Sequence, residues 1–266
     1  MSVARVHGGA GVARGLSSRL MVADHIYDAV LEALIDGALE PGSAIVIDAL
    51  ARQFDVSQTP VREALARLES TGLVRRTALK GYRVAPMTTR DELDRLMQAR
   101  LVFEPKLAEL TAGRMSTHRV DARTDAELQQ AVDDLASASL GPSFAEFRAY
   151  WEADERFHRL VAEAAGNEFL LSAYVALGGQ IVRFRLFGGS GVTDSEHCVA
   201  EHTRVLEALR SGDPAAAGRA MAAHIDDARV RALNSIDEAE HTHPHTAPAA
   251  STARAASTAS TEQESR

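Results

Sequence analysis

The sequence predicts a mainly α-helical fold, and three observations carry that expectation. Apolar residues return at helical spacing through most of the chain, as in Ile26, Val30, Leu31, Leu34 and Ile35. Aromatic residues make up only 5% of the 266 residues, while Ala and Leu are abundant, a balance that suits helices and not β-sandwiches. The clearly β-prone stretches reduce to two short runs, "LVRR" and "GYRV".

The elements follow in order. Residues 1–20, rich in Gly, Ala and Ser, are expected to be flexible. Met21 to Asp36 reads as the first helix, stopped by Gly37 and by "EPG" at residues 40–42. A short helix is expected over residues 47–54, with Leu50 and Phe54 inward, and then a tight break at Asp55 and Val56. Ser57 suits the N-cap of a third helix. Pro60 fits its first turn, where the missing N–H has no intrahelical partner to lose. That helix buries Val61, Leu65 and Leu68 and stops at Gly72. "LVRR", "TALK" and "GYRV" then read as a hairpin. Two closely spaced helices followed by a small hairpin form a winged helix-turn-helix over residues 21–85.

Residues 86–90 read as a linker, and residues 91–236 as an all-α bundle. Its helices are expected at 91–115 (one helix, or a pair kinked at Pro105), 125–138, 143–165, 168–187, 194–211 and 214–236. Asp213-Pro214, a cap followed by proline in the first turn, marks a firm start. Residues 237–266 lack apolar periodicity and read as a disordered tail.

Composition sets further bounds. Hydrophobic and charged contents of 45% and 25% are those of a globular chain, and the length favours two domains. No apolar run approaches the roughly 20 residues needed to cross a bilayer, and the N-terminus lacks the apolar centre of a signal peptide. The single cysteine, Cys198, forms no internal disulfide and fits a reducing cytoplasm, so a cytoplasmic protein with no membrane partner is expected. The net charge of −8 argues against nucleic acid only if charge is evenly spread. It is not. Between Val56 and Val84 the cations are Arg62, Arg67, Arg75, Arg76, Lys80 and Arg83 against Glu63 and Glu69, a local charge of +4.

"LARQFDVSQTPVREALARLESTGLV" with the "GYRV" wing resembles the DNA-binding domain of GntR-type bacterial transcription regulators. The remainder is similar to the FCD ligand-binding domain of their FadR-like subgroup, on the strength of "RLVFEPKLA", "DERFH", "AGNEFL", "EHTRVLEALRSGD" and "AMAAHI". The resemblance spans about residues 23–236. It implies a homodimer on a double-stranded operator with two-fold symmetry, and a small carboxylic acid as effector in the bundle. It also implies DNA contacts from Ser57, Gln58, Thr59, Arg62, Lys80 and Gly81. Relatives commonly carry Arg where this chain has Gln58; Arg suits guanine and Gln suits adenine, so a shifted operator is expected. Asp48 stands where some relatives place a DNA-contacting Arg and is assigned no contact.

Within the bundle, Asp154 and His158 at i and i+4 project from one helix face. His202 and His224 each lie on or near the apolar side of their own helix. One carboxylate and three imidazoles suit zinc, nickel or another first-row divalent ion. The metal-binding branch of the FCD family names the same four positions. Arg100 either grips the effector carboxylate or pairs with Glu104 one turn on. Arg183 and Arg185 read as surface or interface residues, and Asn167 as the shaper of a turn. The "HTHPH" tail offers only adventitious metal binding, His197 and Cys198 face apart on their helix, and "GGSG" reads as a loop and not a phosphate cradle.

These readings converge on a regulator, a repressor by the commoner family behaviour, whose operator affinity is set by an acid bound at the metal. An alternative is a metal-sensing repressor in which the ion is the signal. A further alternative is a metalloenzyme with a DNA-binding appendage, for which Glu155 and Glu201 lie beside the ligands but without a general base's spacing.

Overall fold

A computed structural model describes residues 9–78, 81–86, 88–139, 141, 144–187 and 195–242. The N-terminal head contains α1 (Gly9–Ile35), β1 (Ala44–Ile45), α2 (Ile47–Gln53), α3 (Gln58–Ser70), β2 (Val74–Thr77) and β3 (Gly81–Val84). The three strands form an antiparallel sheet in the order β1-β3-β2, with Ala44 opposite Arg83 and Val74 opposite Val84. The chain turns from α2 to α3 through Asp55, whose φ of 51° lies in the left-handed region that Asp tolerates better than most residues. Periodicity fills the core as expected. Ile26, Val30, Leu31 and Leu34 of α1 meet Val61, Ala64, Leu65 and Leu68 of α3, closed by Tyr82 and Val84 on the inner face of β3.

The structure departs from the sequence expectations in three places here. α1 begins at Gly9, inside the stretch expected to be flexible to residue 20. No proline interrupts residues 9–35, and helix propagates far more easily than it nucleates. β1 was not foreseen, because two residues have no readable period; its existence depends on the pairing with β3. The last helix extends past Ile236, where the tail was expected to start.

The C-terminal bundle contains α4 (Arg90–Ser116), α5 (Ala122–Ser137), α6 (Phe144–Ala164), α7 (Glu168–Phe187), α8 (Ser195–Ser211) and α9 (Pro214–Thr242). α4 runs through its centre, packed on α6, α7, α8 and α9. It starts in a capping box, in which Thr89 accepts from the Glu92 N–H while the Glu92 carboxylate accepts from the Thr89 N–H. It passes Pro105 as one continuous helix. Asp213 caps α9 by accepting from the N–H groups of Ala215 and Ala216, and Asn167 does the same for α7 with Phe169 and Leu170. The core draws Met97 from α4, Leu128 from α5, Phe157 and Val161 from α6, Val205 and Leu209 from α8, and Met221 and Ile225 from α9. Lys80, the "GGSG" run and residues 243–266 with the rest of "HTHPH" lie outside the described residues, as do the side chains of Arg183 and Arg185.

Head and bundle meet through α6. Phe147 and Trp151 pack against the head's core, and Arg148 donates to Asp28 of α1 at 3.0 Å. Because the head is held chiefly by its own small core, Leu65→Ala is expected to cost about 2–5 kcal/mol. Hydrogen exchange should show α1 and α3 losing protection while α4 and α8 keep theirs.

Candidate metal centre and DNA-reading surface

Asp154 and His158 sit one turn apart on α6, His202 on α8 and His224 on α9. All four are buried, and their ligand atoms lie within 4.8 Å of one another. The structure therefore brings together the whole set that the sequence singled out. His158 Nε2 is 3.2 Å from His224 Nε2 and 3.9 Å from Asp154 Oδ1; His202 Nε2 is 3.3 Å from the same oxygen.

The opposite side of each ring explains this geometry. His158 Nδ1 faces Glu104 Oε2 at 2.7 Å, His224 Nδ1 faces Glu201 Oε2 at 2.8 Å, and His202 Nδ1 faces the Cys198 carbonyl at 2.8 Å. Acceptors bonded at Nδ1 of His202 and His224, and a carboxylate oxygen close to Nδ1 of His158, favour the proton on that side and leave the Nε2 lone pair pointing inward. Three lone pairs and a carboxylate then converge with no donor among them. His202 Nε2 makes no hydrogen bond among the described residues, although it is buried. Such a set repels itself unless a proton or cation lies between its members, and the donor chemistry fits a divalent first-row ion.

Electrostatics keep the set ready. Burial pushes the His158 imidazole down to about 4, against the attraction of Glu104, and drives His224 well below its usual range. Both rings are thus neutral near pH 7, the form that ligates. Burial alone would raise Glu201, but hydrogen bonds from His224 and Arg231 hold it at about 2. Burial would likewise raise Glu104, yet the Arg100 guanidinium and His158 keep it well below the usual carboxylate range.

Arg100 occupies one of the two places left open for it. Its Nε and Nη2 donate to the two Glu104 oxygens at 2.5 and 3.3 Å, and only 2% of the residue is exposed. It reaches the centre through Glu104. Glu201 was weighed as a general base, and instead it bridges His224 to Arg231, which donates to both of its oxygens at 2.7 and 2.9 Å. The sequence reading missed the supporting roles of Glu104, Glu201, the Cys198 carbonyl and Arg231. A signal existed for one of them: Arg231 follows His224 by two helical turns and so shares its face of α9. Cys198 itself is buried, with Sγ 3.5 Å from His202 Nδ1.

At the other end, Gln58, Thr59 and Arg62 are exposed around the first turns of α3, beyond Ser57 at its N-cap. The Ser57 side chain makes no capping bond. Gly81, with φ of 77°, opens β3 at the wing. Arg67 points elsewhere: it pairs with Asp24 and lies 4.5 Å over the Tyr27 ring, tying α3 to α1.

Removing one partner of a buried pair strands the other's charge. Glu201→Ala, which leaves His224 and Arg231 without their shared carboxylate, is expected to cost about 3 kcal/mol in urea unfolding, whereas exposed Glu196→Ala should be near neutral.

The chain matches two family descriptions in tandem, "Bacterial regulatory proteins, gntR family" over residues 22–84 and "FCD domain" over residues 95–227. It is 28% identical over 208 residues to the "Probable D-xylose utilization operon transcriptional repressor" of Paenarthrobacter nicotinovorans, covering 78% of this chain and 87% of that one. It is also 28% identical over 210 residues to the HTH-type transcriptional regulator LutR of Bacillus subtilis, covering 71% and 91%. Its fold is similar to that of E. coli McbR/YncC, with a TM-score of 0.61 at 19% identity, covering 80% of this chain and 97% of the other. These curated relatives are named as transcription regulators, not as enzymes. No helix among the described residues is long and apolar enough to cross a membrane. The tandem of a DNA-binding head and an FCD bundle places the chain in the GntR family of bacterial transcription regulators, in the branch that carries an FCD domain.

Proposed function

We propose that this regulator is a repressor whose operator affinity is set by a small carboxylic acid bound beside a divalent ion held by Asp154, His158, His202 and His224. The observation that carries the reading is the inward convergence of those four buried side chains, each ring aimed by an acceptor at its Nδ1. A bound ion would supply a positive centre with coordination positions left for a carboxylate. Arg100, already committed to Glu104, acts on the acid through the charge it adds to the centre and by holding Glu104 against His158.

Ser57, Gln58, Thr59 and Arg62, with Lys80 and Gly81 at the wing, form the proposed DNA contact. One recognition helix reads only a few base pairs, so two copies on a two-fold operator are needed for useful specificity. Exposed Val102 on α4 and exposed Phe169 and Val175 on α7, two helices that pack together, supply apolar surface for a second copy. The acid acts by linkage: it shifts operator affinity only by its preference between two arrangements of the paired heads.

Elemental analysis of the purified full chain should find about one zinc or nickel per chain, and His202→Ala should lose it. At saturations near a hundred times the dissociation constant, the ion adds roughly 2.7 kcal/mol, so a chelator should lower the Tm of the wild type and leave that of His202→Ala unchanged. A wild-type chain that holds no metal and ignores the chelator would end this reading.

The regulatory half is tested separately. Fluorescence anisotropy on DNA upstream of the chain's own gene, across a panel of small carboxylic acids, should show an acid-dependent change that vanishes with chelator. A full response to the metal alone would assign the ion as the signal. Arg62→Ala should abolish specific binding with an unchanged circular dichroism spectrum; unchanged operator affinity would refute its role.

A further inference from the structure

The Gln58 amide is held from both sides. Its Nε2 donates to Asp48 Oδ1 at 2.5 Å, and Arg62 Nη2 donates to its Oε1 at 3.1 Å. Asp48 stands in the first turn of α2, Gln58 opens α3, and Arg62 follows one turn on; all three are exposed. A carboxylate only accepts and a guanidinium only donates, so a single orientation of the amide satisfies both neighbours. The flipped amide would set oxygen against oxygen at Asp48 and N–H against N–H at Arg62.

An amide offers two N–H donors and two lone pairs on its oxygen. Asp48 uses one donor and Arg62 one lone pair, which leaves one donor and one acceptor on the same amide. That remainder matches the major-groove edge of adenine, whose N7 accepts and whose N6 donates; guanine presents two acceptors there. Resting on α3 as the DNA-reading helix, we infer that Asp48 and Arg62 fix the Gln58 amide for adenine at one base pair of each half-site. Asp48 thereby sets specificity without touching a base.

Its charge gives the role a second signature. A carboxylate on the DNA-facing side repels phosphates whatever the sequence, so Asp48 lowers affinity for all DNA while sharpening the choice of base. Removal should raise non-specific affinity and weaken discrimination together. A residue that merely stabilised α2 would lower binding to every sequence alike.

The test selects duplexes from a randomised pool with the full-length wild type, Asp48→Ala, Asp48→Asn and Gln58→Ala. Anisotropy on the wild-type duplex and its single-base replacements follows. Expected is a symmetric adenine in the wild-type site, preferred over guanine roughly tenfold or more, the scale of a good bidentate contact. Gln58→Ala and Asp48→Ala should both lose the preference at that same base pair, with Asp48→Ala binding random duplex more tightly. Asp48→Asn, which keeps an acceptor oxygen, should retain it. The inference is overturned if the wild type selects guanine there, or if Asp48→Ala discriminates as the wild type does. It is equally overturned if Asp48→Ala shifts the preference at a different base pair, which would make Asp48 a direct reader. A wild type that enriches no sequence would sink the DNA-reading role of α3 itself, a failure distinct from the others.

Discussion

The bundle depends on one electrostatic constraint: three imidazoles and a carboxylate must share a buried space with their ligand atoms within 4.8 Å of one another. Burial keeps His158 and His224 unprotonated, and the oxygens behind each ring keep the lone pairs inward. Neither effect alone would suffice. Buried rings free to change tautomer could hydrogen-bond one another and relax the repulsion. Rings held by acceptors but exposed to water would titrate in their ordinary range, and a cation would compete with the proton as pH falls through it.

The supporting groups are themselves costly to bury, and this explains their pairing. Glu104 is acceptable because Arg100 grips both of its oxygens on the same helix, one turn away. Glu201 is acceptable because Arg231 does the same from α9. Glu104 thus ties α4 to α6 through His158, and the Glu201–Arg231 pair joins α8 to α9; α6, α8 and α9 carry the four residues of the candidate centre. A buried charge pair is weak evidence for stability in general. Here each carboxylate also has a positional task at an imidazole, which an apolar replacement would not perform.

Much of this was legible in the sequence, and the failures have a common physical form. The starts of α7 at Glu168 and of α9 at Pro214 were placed to the residue, because caps and proline act locally. The four residues of the candidate centre were legible because Asp154 and His158 lie at i and i+4, His202 and His224 fall on or near apolar helix faces, and the family resemblance names the same positions. The recognition helix was legible for the opposite reason: Gln58, Thr59 and Arg62 are polar where the apolar rhythm of Val61, Leu65 and Leu68 leaves an outward face. What escaped depends on partners distant in sequence. β1 exists only against β3, and Glu201 meets His224 across 23 residues. The bond from Gln58 to Asp48 spans ten residues and a turn, and no single-helix pattern announces it.

A regulator of this kind needs the bundle and the head to share a mechanical element, since a ligand that leaves the head untouched cannot alter DNA affinity. In α6, Phe147, Trp151, Asp154 and His158 follow one another at intervals of four, three and four residues, which aligns them in one narrow stripe. The first two lie in the head's hydrophobic cluster and the last two in the candidate centre. An ion seated between Asp154 and His158, as proposed, would have Trp151 one turn away on the same helix. From there Arg148 reaches Asp28 on α1, and the neighbouring Asp24 and Tyr27 hold Arg67 of the recognition helix. The proposed centre thus lies on the helix whose other end packs against the DNA-binding head.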